Sequence, residues 1–596
     1  MISAKKEVVL FLVSLFVLSL LLPTVNSSIF GFSNGSFVIK LQSSSYELER
    51  LDSGETEIKM KDFSNFTYPG EPALPSKIYK ILLPPMSTLK SIEIADISKE
   101  DLGFGYKIVI APFPASDNGE VTYNESDVDW SVIKSLGVKD LRKWRFVEIR
   151  FLPFEYSESD GHLIFIKDIT LKINFERNLN VSNQLLNDTV MDDLIDDIFV
   201  NRDSAKELGY PNTLPSASPQ TYLIVTTASV QSSGVLNNFI NFKQSQGYNV
   251  QTITIESTSI QGQIGRDLPE KLRNYLKSIY LTNSVKYVLL IGSMGTIPMR
   301  YCYPKPSNHV DDSDPLKDGR VPTDHYYADL TGDWDSDGDG YFGEYGEDNF
   351  DLNPEVIVGR IPFDDSNTVS SILQRIMNFS QDNGSWKKNI LLLGAIENFQ
   401  NEDSTGISKT DGATLMEKMW SDFLQPNSFQ KTSMYEKEGL SPSIYSCDFP
   451  LTQSNVTYHW KNDGGYGIVA WKAHGSTYSA ARKVWSSDSN GDGIPQSNEI
   501  TWPNLITYLD SPNLDSLHPS VVFSGSCLNS YPEISYNLCA SLLKYSCSSA
   551  VGSTRLSYYA FGWSSPYNAS NSTLEYYTLK NFTSSNLPIG DSLFSG

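Results

Sequence analysis

Near residue 219 the hydrophobic pattern of this chain changes its period, and that change constrains the fold more than any other feature. From about 29 to 200 apolar and polar residues alternate in short runs. Examples are Ser36-Phe37-Val38-Ile39-Lys40-Leu41, Lys77-Ile78-Tyr79-Lys80-Ile81-Leu82 and Ile169-Thr170-Leu171-Lys172-Ile173. A period of two, broken by Gly, Pro, Asn and Asp, belongs to antiparallel strands with one buried face and predicts a sandwich or barrel. Beyond 220 the runs become continuously apolar and alternate with amphipathic stretches. Tyr222-Leu223-Ile224-Val225 is followed by a helix near 235–246, a strand from Val250 to Ile255, a helix near 268–281 and Tyr287-Val288-Leu289-Leu290-Ile291-Gly292. Strands apolar on both faces need helices on both sides, which predicts βαβ units around a parallel sheet.

The second pattern restarts at Ile390-Leu391-Leu392-Leu393-Gly394, followed by a helix near 413–424. Two later strands are Tyr466-Gly467-Ile468-Val469-Ala470-Trp471 and Ser520-Val521-Val522-Phe523-Ser524. The expected organisation is therefore a β-rich domain over 29–200, a linker over 201–219, and two α/β subdomains over 220–385 and 386–596. The linker rests on Pro211-Asn212-Thr213-Leu214-Pro215-Ser216-Ala217-Ser218-Pro219, with Arg202 and Lys206 upstream as sites a protease could reach. A length of 596 residues exceeds what one core organises, in keeping with several domains.

The first 28 residues predict export. Lys5 and Lys6 precede an apolar run from Val8 to Leu22, and a cleavage zone follows near Val25-Asn26-Ser27. The run, about 15 residues, is shorter than the roughly 20 a spanning helix needs. An uncleaved anchor is the alternative, and no other membrane span is expected. Sequons such as Asn378-Phe379-Ser380 and Asn455-Val456-Thr457 agree with a secreted glycoprotein. The formal net charge of -23 opposes nucleic-acid binding and favours cations. Five cysteines, Cys302, Cys447, Cys527, Cys539 and Cys547, are an odd number, so at least one thiol is left over from any set of bridges.

Two strand ends carry chemistry. One delivers Lys472-Ala473-His474-Gly475-Ser476, and a later one delivers Ser524-Gly525-Ser526-Cys527-Leu528-Asn529. In open α/β sheets reactive groups gather at the carboxyl ends of strands. A thiolate is a strong nucleophile near neutral pH, and an imidazole can protonate a leaving amine. A developing oxyanion needs main-chain N–H donors, and Gly475 lets the chain come close, so the Gly475 and Cys527 amides are expected in that role. Either residue alone would more often be structural; the pair at successive strand ends reverses that expectation.

Two acidic loops match calcium grammar. Asp488-Ser489-Asn490-Gly491-Asp492-Gly493-Ile494-Pro495-Gln496-Ser497-Asn498-Glu499 has oxygen ligands at positions one, three and five, a glycine turn, the Ile494 carbonyl, and a terminal glutamate. The second runs from Asp333 through Asp335, Asp337 and Asp339 to Glu344, and a register two residues later also fits. Both are expected to hold structural Ca2+, and no organic cofactor is expected. Flanking helices are lacking, so isolated loops rather than paired EF-hands are predicted.

The order of several segments resembles gingipain-type cysteine peptidases, peptidase family C25, over nearly the whole chain beyond the first 28 residues. They are Tyr222-Leu223-Ile224-Val225, Tyr287-Val288-Leu289-Leu290-Ile291-Gly292, Asp324-His325-Tyr326-Tyr327-Ala328-Asp329, Pro354-Glu355-Val356-Ile357-Val358-Gly359-Arg360-Ile361-Pro362, His474-Gly475-Ser476 and Ser526-Cys527. Tyr68-Pro69-Gly70-Glu71-Pro72-Ala73-Leu74-Pro75 looks like the opening of that family's β-rich propeptide. The resemblance implies a caspase-like α/β fold, with a parallel sheet covered by helices on both faces in two subdomains, behind a mainly-β N-terminal domain. It implies a zymogen and a Cys527–His474 dyad acting on protein or peptide substrates. Glu397 matches the acid that orients the histidine, and Asp411 falls where arginine-specific relatives place the acid of the P1 pocket. The chain departs from the bacterial enzymes by the insertion between His474 and Cys527. It also stops at Gly596, short of a final helix and strand, and so reads as a truncated product or fragment. A transpeptidase using the same dyad, or a non-catalytic calcium-stabilised surface adhesion module, are the competing readings.

Overall fold

Alternation of burial along its strands builds the first domain. In Ser36–Gln42 the side chains of Phe37, Ile39 and Leu41 are fully buried while their neighbours are half-buried or exposed. The computed structural model describes residues 29–595 apart from 31, 66–67, 113, 117–118, 121–127, 179, 196–197, 212–218, 305–318 and 569. The expected signal segment lies outside the described residues, as does most of the proline-rich stretch. Ser36–Gln42 pairs antiparallel with His162–Glu176, which also pairs with Thr88–Gly103 and Phe154–Ser157. A second antiparallel sheet joins Lys77–Leu82, Trp144–Phe151 and Ile133–Leu141. Their inward faces meet in one core, in which Phe37, Ile81, Phe146, Ile149, Phe151 and Leu171 are buried.

The segment expected as linker begins as folded chain. Ala205, Leu208 and Tyr210 belong to the core of the β domain, and Arg202 stacks its guanidinium 4.4 Å from the Trp144 ring. Its Pro/Ser composition is confined to residues beyond that packed turn.

The second half contains two parallel sheets. The first has the order Asn249–Thr254, Thr221–Thr226, Val285–Ile291, Ile357–Ile361, and every pairing is parallel. The second has six strands in the order Phe449–Pro450, Gln430–Tyr435, Asn389–Gly394, Ile468–Lys472, Ser520–Gly525, Cys547–Gly552, again all parallel. Adjacent residues of each strand enter different cores, as a period of two demands. Leu391, Leu393, Val469 and Trp471 share one core with Ile224, Leu289 and helix residues Phe239, Val369 and Ile372. Ile390, Leu392, Ile468 and Ala470 face the opposite core, with Leu415 and Met416 of the Gly412–Met419 helix and Tyr576 and Leu579 of the Asn571–Ser584 helix. The α/β class with two subdomains behind a mainly-β domain, expected from the sequence, is the one observed.

Helix starts follow local capping chemistry. Asp267, Asp365, Asp411 and Asn537 each precede a helix and accept a hydrogen bond from its first turn. Elements not anticipated from the sequence include the strands Gln430–Tyr435 and Cys547–Gly552 and the helices Ser366–Gln381 and Asn571–Ser584.

The β domain is bolted to the first sheet by Arg142. Its buried guanidinium pairs with Asp188 and donates to the main-chain carbonyls of Val285 at 2.9 Å, Glu355 at 2.7 Å and Tyr280 at 3.2 Å. A further contact is with the second half: Pro114–Ser116, hairpinned with Gly119–Glu120, pairs antiparallel with Tyr559–Ala560. Among the described residues no helix is long and apolar enough to cross a membrane.

Candidate active site

Strand register brings the two sequence-predicted chemical residues to one level. Ile468–Lys472 and Ser520–Gly525 are neighbours, with Ile468 opposite Val521 and Lys472 opposite Gly525. His474 and Cys527 each lie two residues beyond that last pair, at the same edge of the sheet. Gly475 seals the approach: a Cβ there would lie 2.3 Å from the Cys527 carbonyl oxygen and 2.9 Å from its nitrogen. No side chain fits, so the main chains of Gly475 and Cys527 pack directly on each other.

Asn529 ties the two loops together. Its amide nitrogen donates to the carbonyls of Ser476 at 2.7 Å and Ser479 at 3.1 Å, and its oxygen accepts from Ser524 at 2.7 Å. The Trp471 indole donates to the Ser526 hydroxyl at 2.9 Å, fixing the residue before the cysteine. Leu528 takes a left-handed φ of 59°, which turns the chain sharply just past the thiol.

The imidazole tautomer follows from its partner. His474 Nε2 lies 2.6 Å from the main-chain carbonyl oxygen of Glu397, and a carbonyl can only accept, so Nε2 carries the proton. Neutral His474 therefore keeps its lone pair on Nδ1. The ring is buried, with Trp502 packed edge-on at 4.7 Å and Tyr559 at 6.4 Å. Cys527 is also buried; its Sγ receives the Ser557 N–H at 3.3 Å and lies 3.5 Å from the Ser557 carbonyl.

Glu397 was expected to orient the histidine as a carboxylate. It reaches Nε2 through its main chain, while its carboxylate forms a buried ion pair with Lys472 at 2.9 Å. Lys472 also donates to Asn571 Oδ1 at 2.5 Å, and Asn571 Nδ2 donates to the Ser557 hydroxyl at 2.7 Å. Sequence reasoning missed Lys472, Asn529, Ser557 and Asn571. Only Lys472, a charge ending an otherwise apolar strand, left a signal.

A cavity of about 690 Å3 reaches Ser557, walled by Gly525, Val551, Arg555, Asn571 and Leu574. Glu575 borders it, and neither of its buried carboxylate oxygens has a hydrogen-bond partner among the described residues. Burial pushes its pKa up to about 8, against the opposing pull of Lys472.

Asp411 caps the Gly412–Met419 helix, accepting from the Ala413 N–H at 3.0 Å. Burial raises its pKa, opposed first by a hydrogen bond from Ser443.

The acidic loops differ. Carboxylate oxygens of Asp335, Asp337 and Asp339 lie within 4.8 Å of one another, as do those of Asp337, Glu344 and Glu347. That gathering follows the later of the two registers and adds Glu347; Asp333 instead accepts from the Asp335 N–H at 3.3 Å. In the other loop Asp488 accepts from Gly491 at 2.9 Å and Gly493 at 3.1 Å, and Asp492 from Ile494 at 2.8 Å. Asn490 accepts from Asp492 at 3.0 Å. Glu499, expected as a bidentate ligand, is buried and accepts from the Ser489 N–H at 2.6 Å and hydroxyl at 2.7 Å. None of the five cysteines, all of them described, is in a disulfide; burial holds the Cys539 thiol up at about 11, so it is an inert core group.

The model of peptidase family C25 matches residues 216–596, from the first parallel sheet through the thiol and beyond. The chain belongs to peptidase family C25. It is therefore a cysteine peptidase, a hydrolase whose substrates are proteins or peptides. The Arg-specific cysteine proteinase gingipain R is 14% identical over 65% of this chain and 73% of its own, with a TM-score of 0.42. A complex of pro- and mature domains from Porphyromonas gingivalis is 14% identical, covering 30% of this chain and 98% of that one at a TM-score of 0.22. Gingipain K from the same organism is 15% identical, covering 26% and 94% at 0.21. A comparison with curated protein sequences finds no match.

Proposed function

We propose that the chain is a secreted, calcium-stabilised endopeptidase, made as a zymogen, with Cys527 as nucleophile and His474 as proton carrier. The observation that carries this reading is the direct packing of Gly475 on the Cys527 main chain, which brings imidazole and thiol loops to one sheet edge. His474 takes the Cys527 thiol proton as Sγ attacks the scissile carbonyl, and the amides of Gly475 and Cys527 receive the developing oxyanion. The C–N bond breaks as His474 gives a proton to the leaving amine, leaving a thioester. His474 then takes a proton from water, which attacks the thioester, frees the acid product and restores the thiol. Because Nε2 is committed to the Glu397 carbonyl, Nδ1 is the nitrogen that moves the proton. The Ser557 N–H beside Sγ favours the thiolate.

The zymogen reading is supported by the Pro114–Ser116 strand, which pairs with Tyr559–Ala560 beside the His474 ring and so lies where a substrate strand would have to enter. Calcium is supported by the carboxylate gathering at Asp335, Asp337 and Asp339 with Glu344 and Glu347, and by the turn of Asp488, Asn490, Asp492, Ile494 and Glu499. Bound there, calcium would neutralise carboxylates and stiffen two long loops. A basic P1 preference through Asp411 is the finest part of the reading, tested by peptide-library profiling of Asp411→Asn.

Cys527→Ala decides the core assignment. Purified, folded variant should cleave no peptide; retained proteolysis would remove Cys527 from the mechanism.

A further inference from the structure

Both halves of the dyad hang from one buried network whose hub lies outside them. On the histidine side, the Glu397 main chain accepts from Nε2 at 2.6 Å and the Glu397 carboxylate pairs with Lys472 at 2.9 Å. On the cysteine side, Lys472 holds Asn571 at 2.5 Å, Asn571 holds the Ser557 hydroxyl at 2.7 Å, and the Ser557 N–H donates to Sγ at 3.3 Å. The Lys472 side chain is 1% exposed and the Glu397 side chain 4%, so these contacts act where water does not dilute them. We propose that Lys472 is the positioning residue of this active site, joining the residue that holds the imidazole to the pair that holds the thiol. The inference rests on the assignment of Cys527 and His474 as the dyad.

The chemistry explains why a lysine suits this place. Its ammonium offers three donors and no acceptor, so Glu397 and Asn571 must both turn an oxygen toward it. That fixes the Asn571 amide with its nitrogen toward Ser557. The second acid near the hub, Glu575, does not compete for the ion pair. Its carboxyl is held up to about 8 by burial and stays protonated at neutral pH, leaving Lys472 and Glu397 as a balanced pair. Gly525, the register partner of Lys472, makes this layer possible: a Cβ there would sit 2.5 Å from the nearer Glu575 oxygen. Lys483 adds a weaker donor to the Glu397 carbonyl at 3.4 Å, so that oxygen is held from two sides.

Lys472 is buried and directed to Glu397 and Asn571, so its removal should disturb chemistry more than binding. In the full chain, Lys472→Met should lower kcat by about 100-fold on a peptide substrate. KM should stay within about threefold, since substrate contacts remain. The pH midpoint for iodoacetamide alkylation of Cys527, followed by mass spectrometry of its peptide, should rise by about one unit. Removing the cation strands the Glu397 carboxylate and can unfold the protein, so Asn571→Ala serves as the second variant. It keeps the ion pair and cuts only the cysteine branch. It should raise the alkylation midpoint and lower kcat in the same sense while melting near wild type. Wild-type kcat and alkylation midpoint in a folded Asn571→Ala, or in a folded Lys472→Met, would overturn the proposal. Cys527→Ala measured alongside separates the two levels: its retained activity removes the dyad itself, whereas an inactive Cys527→Ala with an unaffected Asn571→Ala removes only the role of Lys472.

Discussion

The two parallel sheets of the second half share a grammar of apolar strands and covering helices, yet their carboxyl edges do different work. At the edge of the first sheet Arg360 and His325 are turned inward and hydrogen-bonded to the protein. Arg360 is paired with Asp324 and donates to the carbonyls of Gly292 and Ile297, both at 2.9 Å. His325 donates through Nε2 to the Asp351 carbonyl at 2.7 Å, so this family-like histidine is structural. At the opposite, amino end of that sheet, where Glu355 precedes Ile357–Ile361, Asp329, Asp351 and Glu355 are buried together, and burial pushes Asp351 up to about 7. At the edge of the second sheet an imidazole and a thiol occupy one register level, roofed by the half-exposed Trp502, and a cavity reaches Ser557 beside the thiol. Strand ends collect polar residues because the ladder stops there and its last groups need partners. The proposed chemistry belongs to the edge where register also sets a thiol loop beside an imidazole loop.

The sharpest way to break this contrast is to add one methyl group to each edge. Gly475→Ala drives a Cβ into the Cys527 main chain, which cannot yield, and should cut kcat/KM by about 100- to 1,000-fold in a peptide-cleavage assay. Activity near wild type would mean that the two loops are not rigidly stacked.

Next comes a buried acid beside each sheet. The folded Glu575 carboxyl titrates near 8, above the ordinary value of 4.5. The fold therefore keeps a proton that the unfolded chain releases, and stability falls as pH rises from 4.5 towards 8. Glu575→Gln removes that loss and should gain about 3 kcal/mol at pH 8 but almost nothing at pH 4.5, read from denaturant melts at both values. Asp351→Asn should behave with the same sign, over a window ending near pH 7, with a gain of about 2 kcal/mol. A gain that grew as pH fell would contradict the assignment of either group.

The acidic loops supply the third comparison. Chelation should cost about 2 kcal/mol relative to calcium some thirtyfold above Kd, seen as a drop in Tm. Asp337→Asn should abolish more of the calcium-dependent rise than Asp492→Asn, because the Asp337 carboxylate already lies in two gathered sets. The smallest effect belongs to Gly292→Ala in the first sheet. Its Cβ would meet the flexible end of Ile297 at 3.0 Å, so activity should hold and stability should fall by about 1 kcal/mol.

Much of the architecture was legible in the amino-acid order because burial has a period. Val469 and Trp471 face one core and Ile468 and Ala470 the other, so a continuously apolar run could be recognised as a strand buried on both sides. His474 and Cys527 were legible for the same reason, each lying just past such a run. Gln430–Tyr435 was not, because Gln430-Lys431-Thr432-Ser433 is polar where it pairs with the core strand Asn389–Gly394. The linker was half misread: its composition is polar, but Leu208 and Tyr210 anchor its start in the β core.

The amino-acid sequence by itself determined the change from alternating to continuously apolar strands, the parallel sheets and the placing of His474 and Cys527 just past two strand ends, since these follow from local periodicity. Tertiary structure alone decided how those residues are held. The Glu397 carbonyl is 77 residues from His474 and Asn571 is 99 from Lys472, separations at which no periodic signal survives. Which oxygen meets which proton was settled only when the strands took their register and closed one low-dielectric network around the pair.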